Sequence, residues 1–190
     1  MINVLPQDSM IEISTESGYE FIKIPYYSSG VSRYFVGLFL IFWLGGWYMG
    51  FTSAIENLLS NEGLNLFLIF WLGGWTVGGL FAVTIIYRIF RKTFPETLLL
   101  HKPNLLYDSG IPPFQINFQP KNQKEYWKSM FVKRKNVDFT NNEIKSLKLR
   151  ETDSGNRLTI DLDTKRFEFA QGASEIEREW LFNYLTKIYF

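Results

Sequence analysis

The 190-residue chain has no cysteine and a single histidine, His101. Without thiols, disulfide frameworks and zinc sites built from Cys/His clusters are excluded. The lone imidazole sits in a turn beside Lys102 and Pro103, where it reads as a surface residue rather than the base partner of a nucleophile. Gly-x-Gly-x-x-Gly and phosphate-loop motifs are missing as well. Charge is scarce in one place only: the net charge is +1, yet between Arg33 and Arg88 only Glu56 and Glu62 are charged. The start, "MINVLPQDSMIEISTESGYEF", is polar and acidic and lacks the basic, then apolar, then small-residue order of a cleaved signal. The first apolar run is therefore expected to be retained as an anchor.

What fills the charge gap is apolar. From Tyr34 to Ala54 no side chain is charged, and a second such run follows from Gly63 to Tyr87. At 1.5 Å per residue each run matches a hydrocarbon layer of roughly 30 Å, and a backbone in hydrocarbon must bond to itself as a helix. Two transmembrane spans are expected at about 34–54 and 64–88. The connecting "FTSAIENLLSNEGLN" has no lysine or arginine, whereas Arg33 precedes the first span and Arg88, Arg91 and Lys92 follow the second. The positive-inside rule then puts both termini in the cytoplasm, in a two-pass integral membrane protein. Spans free of Asp, Glu, Lys, Arg and His carry no proton or ion relay, which argues against a pump or channel.

The decapeptide "LFLIFWLGGW" occurs at residues 38–47 and again at 66–75. Counted from Ser60, Gly46 and Gly74 lie equally far along the two limbs, so the Gly-Gly pairs are expected to meet at one depth. Gly46 with Gly50, and Gly74 with Gly78, have the small-x-x-x-small spacing that lets helices approach closely. Gly45, Gly73 and Gly79 lie off that strip and are expected to offer a face to another membrane protein. Trp43, Trp47, Trp71 and Trp75 read as packing, lipid or partner contacts, with ring stacking on a pigment or quinone as the alternative.

Outside the spans the chain alternates. "MIEIST" and "YEFIKIP" around "ESG" predict a β-hairpin in residues 1–30, too small to stand alone and expected to pack on the later domain. In residues 93–190, "FPETLLLHKPNLLYDSG" predicts two strands. "PFQINF", "EYWKSMFVKR" and "NVDFT" are further candidates, and "EIKSLKLRE", "RLTIDLD" and "RFEFA" predict a meander. The last segment opens with Ser174 and Glu177 in capping-box spacing. Ile176, Trp180, Tyr184 and Ile188, with Leu181 and Leu185, predict the inward stripe of a helix, and Glu175, Arg178, Glu179 and Lys187 its outer face.

Short strands from Thr97 to Ala170 followed by a helix around "EIEREWLFNYL" resemble the pleckstrin-homology-like fold of bacterial membrane-tethered proteins, in which a two-span hairpin precedes the domain. The plan is also similar to that of the photosystem I assembly factor of cyanobacteria and chloroplasts. The resemblance implies an α+β membrane protein: a helical hairpin in residues 31–92, then a β-barrel or sheet closed by a C-terminal amphipathic helix. It implies a bacterial inner or, by analogy, thylakoid membrane.

Asp161 and Asp163, with Glu151 and Asp153 near, read as a solvated strand face rather than a cation site. "KNQKEYWKSMFVKRK" places Lys121, Lys124, Lys128, Lys133, Arg134 and Lys135 among aromatics, a candidate contact for anionic lipid. The near-neutral balance argues against nucleic acid. Expected, then, is a non-enzymatic interaction protein without cofactor. It would be an accessory or assembly factor whose partners are membrane lipid and another integral membrane protein or complex. An anionic-lipid-responsive module is the alternative.

Overall fold

The structure, a computed structural model, describes residues 4–27, 30–60, 65–114, 127, 129–153, 155–162 and 165–190. They divide into two units: residues 1–27, 93–112 and 132–190 in one, residues 28–92 and 113–131 in the other. The architecture is α+β, with two long apolar helices and antiparallel sheets. Of residues 113–131, expected with the C-terminal domain, the described ones belong to the helical unit.

In the first unit, period-two alternation builds a five-stranded sheet in the order β1-β2-β3-β4-β5. The strands are β1 Glu12–Glu16, β2 Tyr19–Ile24, β3 Glu96–His101, β4 Asn104–Asp108 and β5 Asn136–Phe139. A second, three-stranded sheet holds β6 Lys148–Thr152, β7 Gly155–Leu162 and β8 Lys165–Phe169. The N-terminal hairpin is thus part of the larger sheet, and β2 and its neighbour β3 are separated in sequence by both long helices.

Register follows from which residues turn inward. Ile22 pairs with Leu98, Leu98 with Tyr107 and Tyr107 with Val137, a row crossing four strands. Leu100, Leu105 and Phe139 form a second row. These side chains meet Leu158, Ile160 and Phe169 of the smaller sheet in one core. Fully burying each such side chain stabilises the fold by about 1.5–3 kcal/mol.

The C-terminal helix, residues Glu175–Tyr189, closes that core with Trp180, Leu181, Tyr184 and Leu185. Its capping box is formed: Ser174 Oγ accepts from the Glu177 N–H, and Glu177 accepts from the Ser174 N–H. The inward arc begins at Glu177, not Ile176, which is 68% exposed. Its i, i+3, i+4, i+7, i+8 spacing leaves Ile176 outside. Glu177 is buried because it also accepts from Ser9 Oγ at 2.7 Å and the Met10 N–H at 2.9 Å. Arg178, expected in solvent, donates to the carbonyls of Ala170, Asn156 and Gln171.

Two other stretches differ from their alternation. In "EIKSLKLRE" the strand begins only at Lys148, because Thr140 and Glu143 form a capping box on a one-turn helix, residues Asn141–Ile144. In "EYWKSMFVKR" the described residues Trp127, Ser129 and Met130 are helical, not extended. Of "PFQINF" only Pro113 and Phe114 are described, and neither is in a strand; the rest lies outside the described residues.

The second unit contains α1, Ser32–Ser60, and α2, Leu66–Phe90, each long and apolar enough to cross a membrane. Almost none of either helix's apolar stretch is buried within the chain, so Phe42, Met49, Phe70 and Val77 point away from it. A core helix of a soluble protein would bury such a face. Helix α1 runs past Ala54, the expected end, because Ile55, Leu58 and Leu59 continue it and no breaker intervenes; Glu56 is therefore helical. Helix α2 starts at a cap in which Asn65 Oδ1 accepts from the Leu68 N–H.

Candidate functional site

The residues singled out in the sequence concentrate on the two long helices. Their register is set by bulky rings seated on bare backbone. Trp47 of α1 covers Gly79 of α2: a Cβ at position 79 would lie 2.8 Å from Trp47 Cε2 and 2.9 Å from Cη2. The reciprocal contact is looser, with a Cβ at Gly50 falling 3.6 Å from Trp75 Cζ2. Near the helix ends, Gly37 faces Phe90 and Ile89, where a Cβ would meet them at 2.7 and 3.0 Å.

The Trp47 indole N–H also donates to the Trp75 carbonyl oxygen at 3.2 Å. That oxygen is the i−4 carbonyl below Gly79, so the missing side chain opens a path to it. An N–H buried in an apolar site needs such an acceptor. Thr76 and Thr84 satisfy their hydroxyls on their own helix, donating to the Leu72 and Leu80 carbonyls.

The expected meeting of Gly46 with Gly74 does not occur. The pairs Trp47/Gly79 and Gly50/Trp75 mirror about a point a few residues beyond Ser60, since α1 continues to that residue before the turn. Beyond the backbone of their own helix and their chain neighbours, Gly45, Gly46, Gly73, Gly74 and Gly78 consequently have no atom within 4 Å of where a Cβ would stand. Roles are exchanged: Gly79, expected to face outward, makes the tightest contact, while the Gly74/Gly78 strip is open.

The tryptophans mostly engage one another or their neighbours. Trp71 and Trp75 pack with ring centroids 3.9 Å apart, and Trp47 stacks on Phe51 at 5.0 Å. Trp43 is exposed. The Trp75 indole N–H is buried with no hydrogen-bond partner.

Of the basic residues marked for lipid contact, Lys121, Lys124 and Lys128 lie outside the described residues. Lys133 and Lys135 are exposed. Arg134 forks onto Asp108, its Nε donating to Oδ1 at 2.8 Å and Oδ2 at 2.7 Å, and its guanidinium lies 5.5 Å from the Phe94 ring centre. These hydrogen bonds hold the Asp108 carboxyl below the usual carboxylate range. Asp161 is paired with Arg150 and Arg166, each at 3.5 Å, and Asp163 lies outside the described residues. His101 stacks on Tyr19. Among the described residues no cluster of His, Asp and Glu is arranged to hold a metal ion.

Two buried polar groups were missed. Glu96 is 0% exposed at the start of β3 and accepts from Tyr107 Oη and the Gly172 N–H, both at 2.8 Å. Burial pushes its carboxyl up, against the pull of those donors. Burial and the nearby Glu96 carboxyl likewise push the Tyr107 and Tyr26 hydroxyls up. The signal was available: Glu96, Leu98 and Leu100 share the inward phase of one strand. The second group is Arg88, 2% exposed on the last turn of α2. Its Nε donates to the Ser129 carbonyl at 3.1 Å, and its guanidinium carbon lies 5.8 Å from the Phe114 ring centre.

Comparison with protein-family models, with curated proteins and with solved structures finds no match to this chain.

Proposed function

We propose that this protein is a non-enzymatic, membrane-anchored interaction protein, an accessory or assembly factor of a larger membrane complex. In this reading α1 and α2 span the bilayer with both termini cytoplasmic, and the β unit, of pleckstrin-homology-like kind, presents a binding surface. The observation that carries it is the open glycine set. The hairpin packs through Gly37, Gly50 and Gly79, leaving Gly74 and Gly78 one turn apart on α2 with nothing above them. Gly45, Gly46 and Gly73 are equally bare. Where lipid gives no hydrophobic drive, such bare backbone is what a second protein's helix packs on.

The β unit supports the rest of the reading: two antiparallel sheets share a core closed by the C-terminal helix. Three of its charged groups have structural partners: Glu96 is held between strand and loop, Asp161 between two arginines and Arg178 on three carbonyls.

Purification in mild detergent tests the proposal. The wild-type chain is expected to bring down a stoichiometric integral membrane partner, and the double variant Gly74→Ile, Gly78→Ile to lose it while keeping its own hairpin. A lone monomer under several mild conditions, or full retention by the double variant, overturns it.

A further inference from the structure

The helical unit contains more than its two helices. Phe114 and Met130 are buried against Ile89, Val36, Leu40, Phe81 and Ile85. The Trp127 ring lies 5.7 Å from that of Phe81. Measured along α2, Phe81 is about 13 Å from the helix end at Phe90, at 1.5 Å per residue. Arg91 and Lys92 follow that end, and Arg33 stands at the start of α1. If those charges mark the headgroup level, as the spanning reading requires, Phe81, Ile85 and Leu40 lie inside the hydrocarbon edge. The residues packed on them lie there too.

Arg88 shows the same segment seated on the helix end. A guanidinium on the last turn of an apolar helix ordinarily turns its polar atoms toward water. This one is 2% exposed; its Nε donates to the Ser129 carbonyl, and its face is covered by Phe114. The segment supplies what water would otherwise supply. Meanwhile Trp127 is 52% and Phe131 66% exposed. An aqueous connector has no reason to show those two rings beside the two apolar side chains, Phe114 and Met130, that it buries. A bilayer interface accepts the exposed Trp127 and Phe131, since aromatic side chains prefer that level.

We propose that the described part of 113–131, carrying Phe114, Trp127, Met130 and Phe131, is a third membrane-associated element. It lies in the boundary between headgroups and acyl chains and is clamped to the hairpin by Arg88. Its partner is lipid. The inference rests on the spanning reading above, and the test separates the two.

The chain has no cysteine, so single-cysteine variants can be labelled cleanly. Phe131→Cys and Trp127→Cys, each carrying a nitroxide, are reconstituted as full chains in phosphatidylcholine vesicles with some phosphatidylglycerol. Collision rates with oxygen and with a neutral nickel chelate are then read. Phe42→Cys on α1 and Ile176→Cys on the C-terminal helix, both at exposed positions, serve as references. The labels at 127 and 131 are expected to meet the nickel chelate several-fold less often than the label at 176, with oxygen favoured as at 42. If 42 reads lipid while 127 and 131 read water, the interfacial element is wrong and the hairpin stands. If 42 also reads water, the spanning reading itself fails.

Discussion

The indole N–H of Trp47 and the carbonyl oxygen of Trp75 are 3.2 Å apart, joined across two helices over the bare backbone of Gly79. Shape and hydrogen bonding are met by one ring, which makes this the pivot of the hairpin. Trp47→Phe should weaken helix–helix association by about 0.6 kcal/mol, the mean for hydrogen bonds between membrane helices. Trp75→Phe should be neutral or slightly stabilising, because its buried N–H has no partner to lose. Unfolding in mixed detergent micelles measures both, and equal losses would contradict the assignment.

The glycines should divide the same way. Gly79→Ala forces a methyl into Trp47 and should disrupt the hairpin measurably, whereas Gly74→Ala and Gly78→Ala meet open space. Cross-linking efficiency between cysteines placed on α1 and α2 distinguishes them: a drop at 79 and none at 74 or 78. Losses of similar size at all three would mean that the Gly74/Gly78 strip holds the hairpin together.

In the β unit, two carboxyls should pull the pH dependence of stability in opposite directions. Glu96 has a raised folded-state pKa, so its contribution is complete below the unfolded value and is lost as pH rises through the folded one. Asp108, held down by Arg134, contributes above its unfolded value and loses that contribution as pH falls through the folded one. Urea midpoints should therefore show Glu96→Gln reducing the loss of stability with rising pH, and Asp108→Asn reducing the loss with falling pH. Glu96→Leu is a different case: it strands the Tyr107 hydroxyl and the Gly172 N–H, at about 1–3 kcal/mol for each buried donor.

Much of this was legible in the sequence, and the failures are local. Alternation marks strands wherever one face is buried, as with Leu98 and Leu100, and charge depletion marks both long helices. What periodicity cannot give is the pairing register of two helices that are apolar all round, since no stripe points inward. The mirror point of the hairpin then depends on where α1 ends, and six further helical residues moved every glycine relative to its partner. The turn of helix at Asn141–Ile144 and the helical Trp127, Ser129 and Met130 were hidden for another reason. A run that short fits either period. Arg88 read as a marker of orientation, and only the fold brings Phe114 and Ser129 onto it.

The capping box of the last helix carries more than the helix. Ser174→Ala should cost about 1 kcal/mol, the usual value of an N-cap. Glu177→Ala should cost more, because the same carboxylate holds Ser9 and the Met10 N–H. Amide exchange at Met10 should quicken in Glu177→Ala and stay near wild type in Ser174→Ala. Equal protection in both variants would mean that the N-terminal segment is held by other contacts.

Neighbouring strands β2 and β3 end and begin at Ile24 and Glu96, with residues 25–95 between them. On a ribosome adding roughly 5–20 residues per second, the N-terminal hairpin emerges and then waits on the order of several seconds before β3 exists. Throughout that interval β2 offers an unpaired edge, the kind of surface that strays into wrong pairings. Both long helices are made during the same interval. The larger sheet can therefore close only after the hairpin has left the ribosome, so delay in handling the apolar helices would reach the β unit as misfolding.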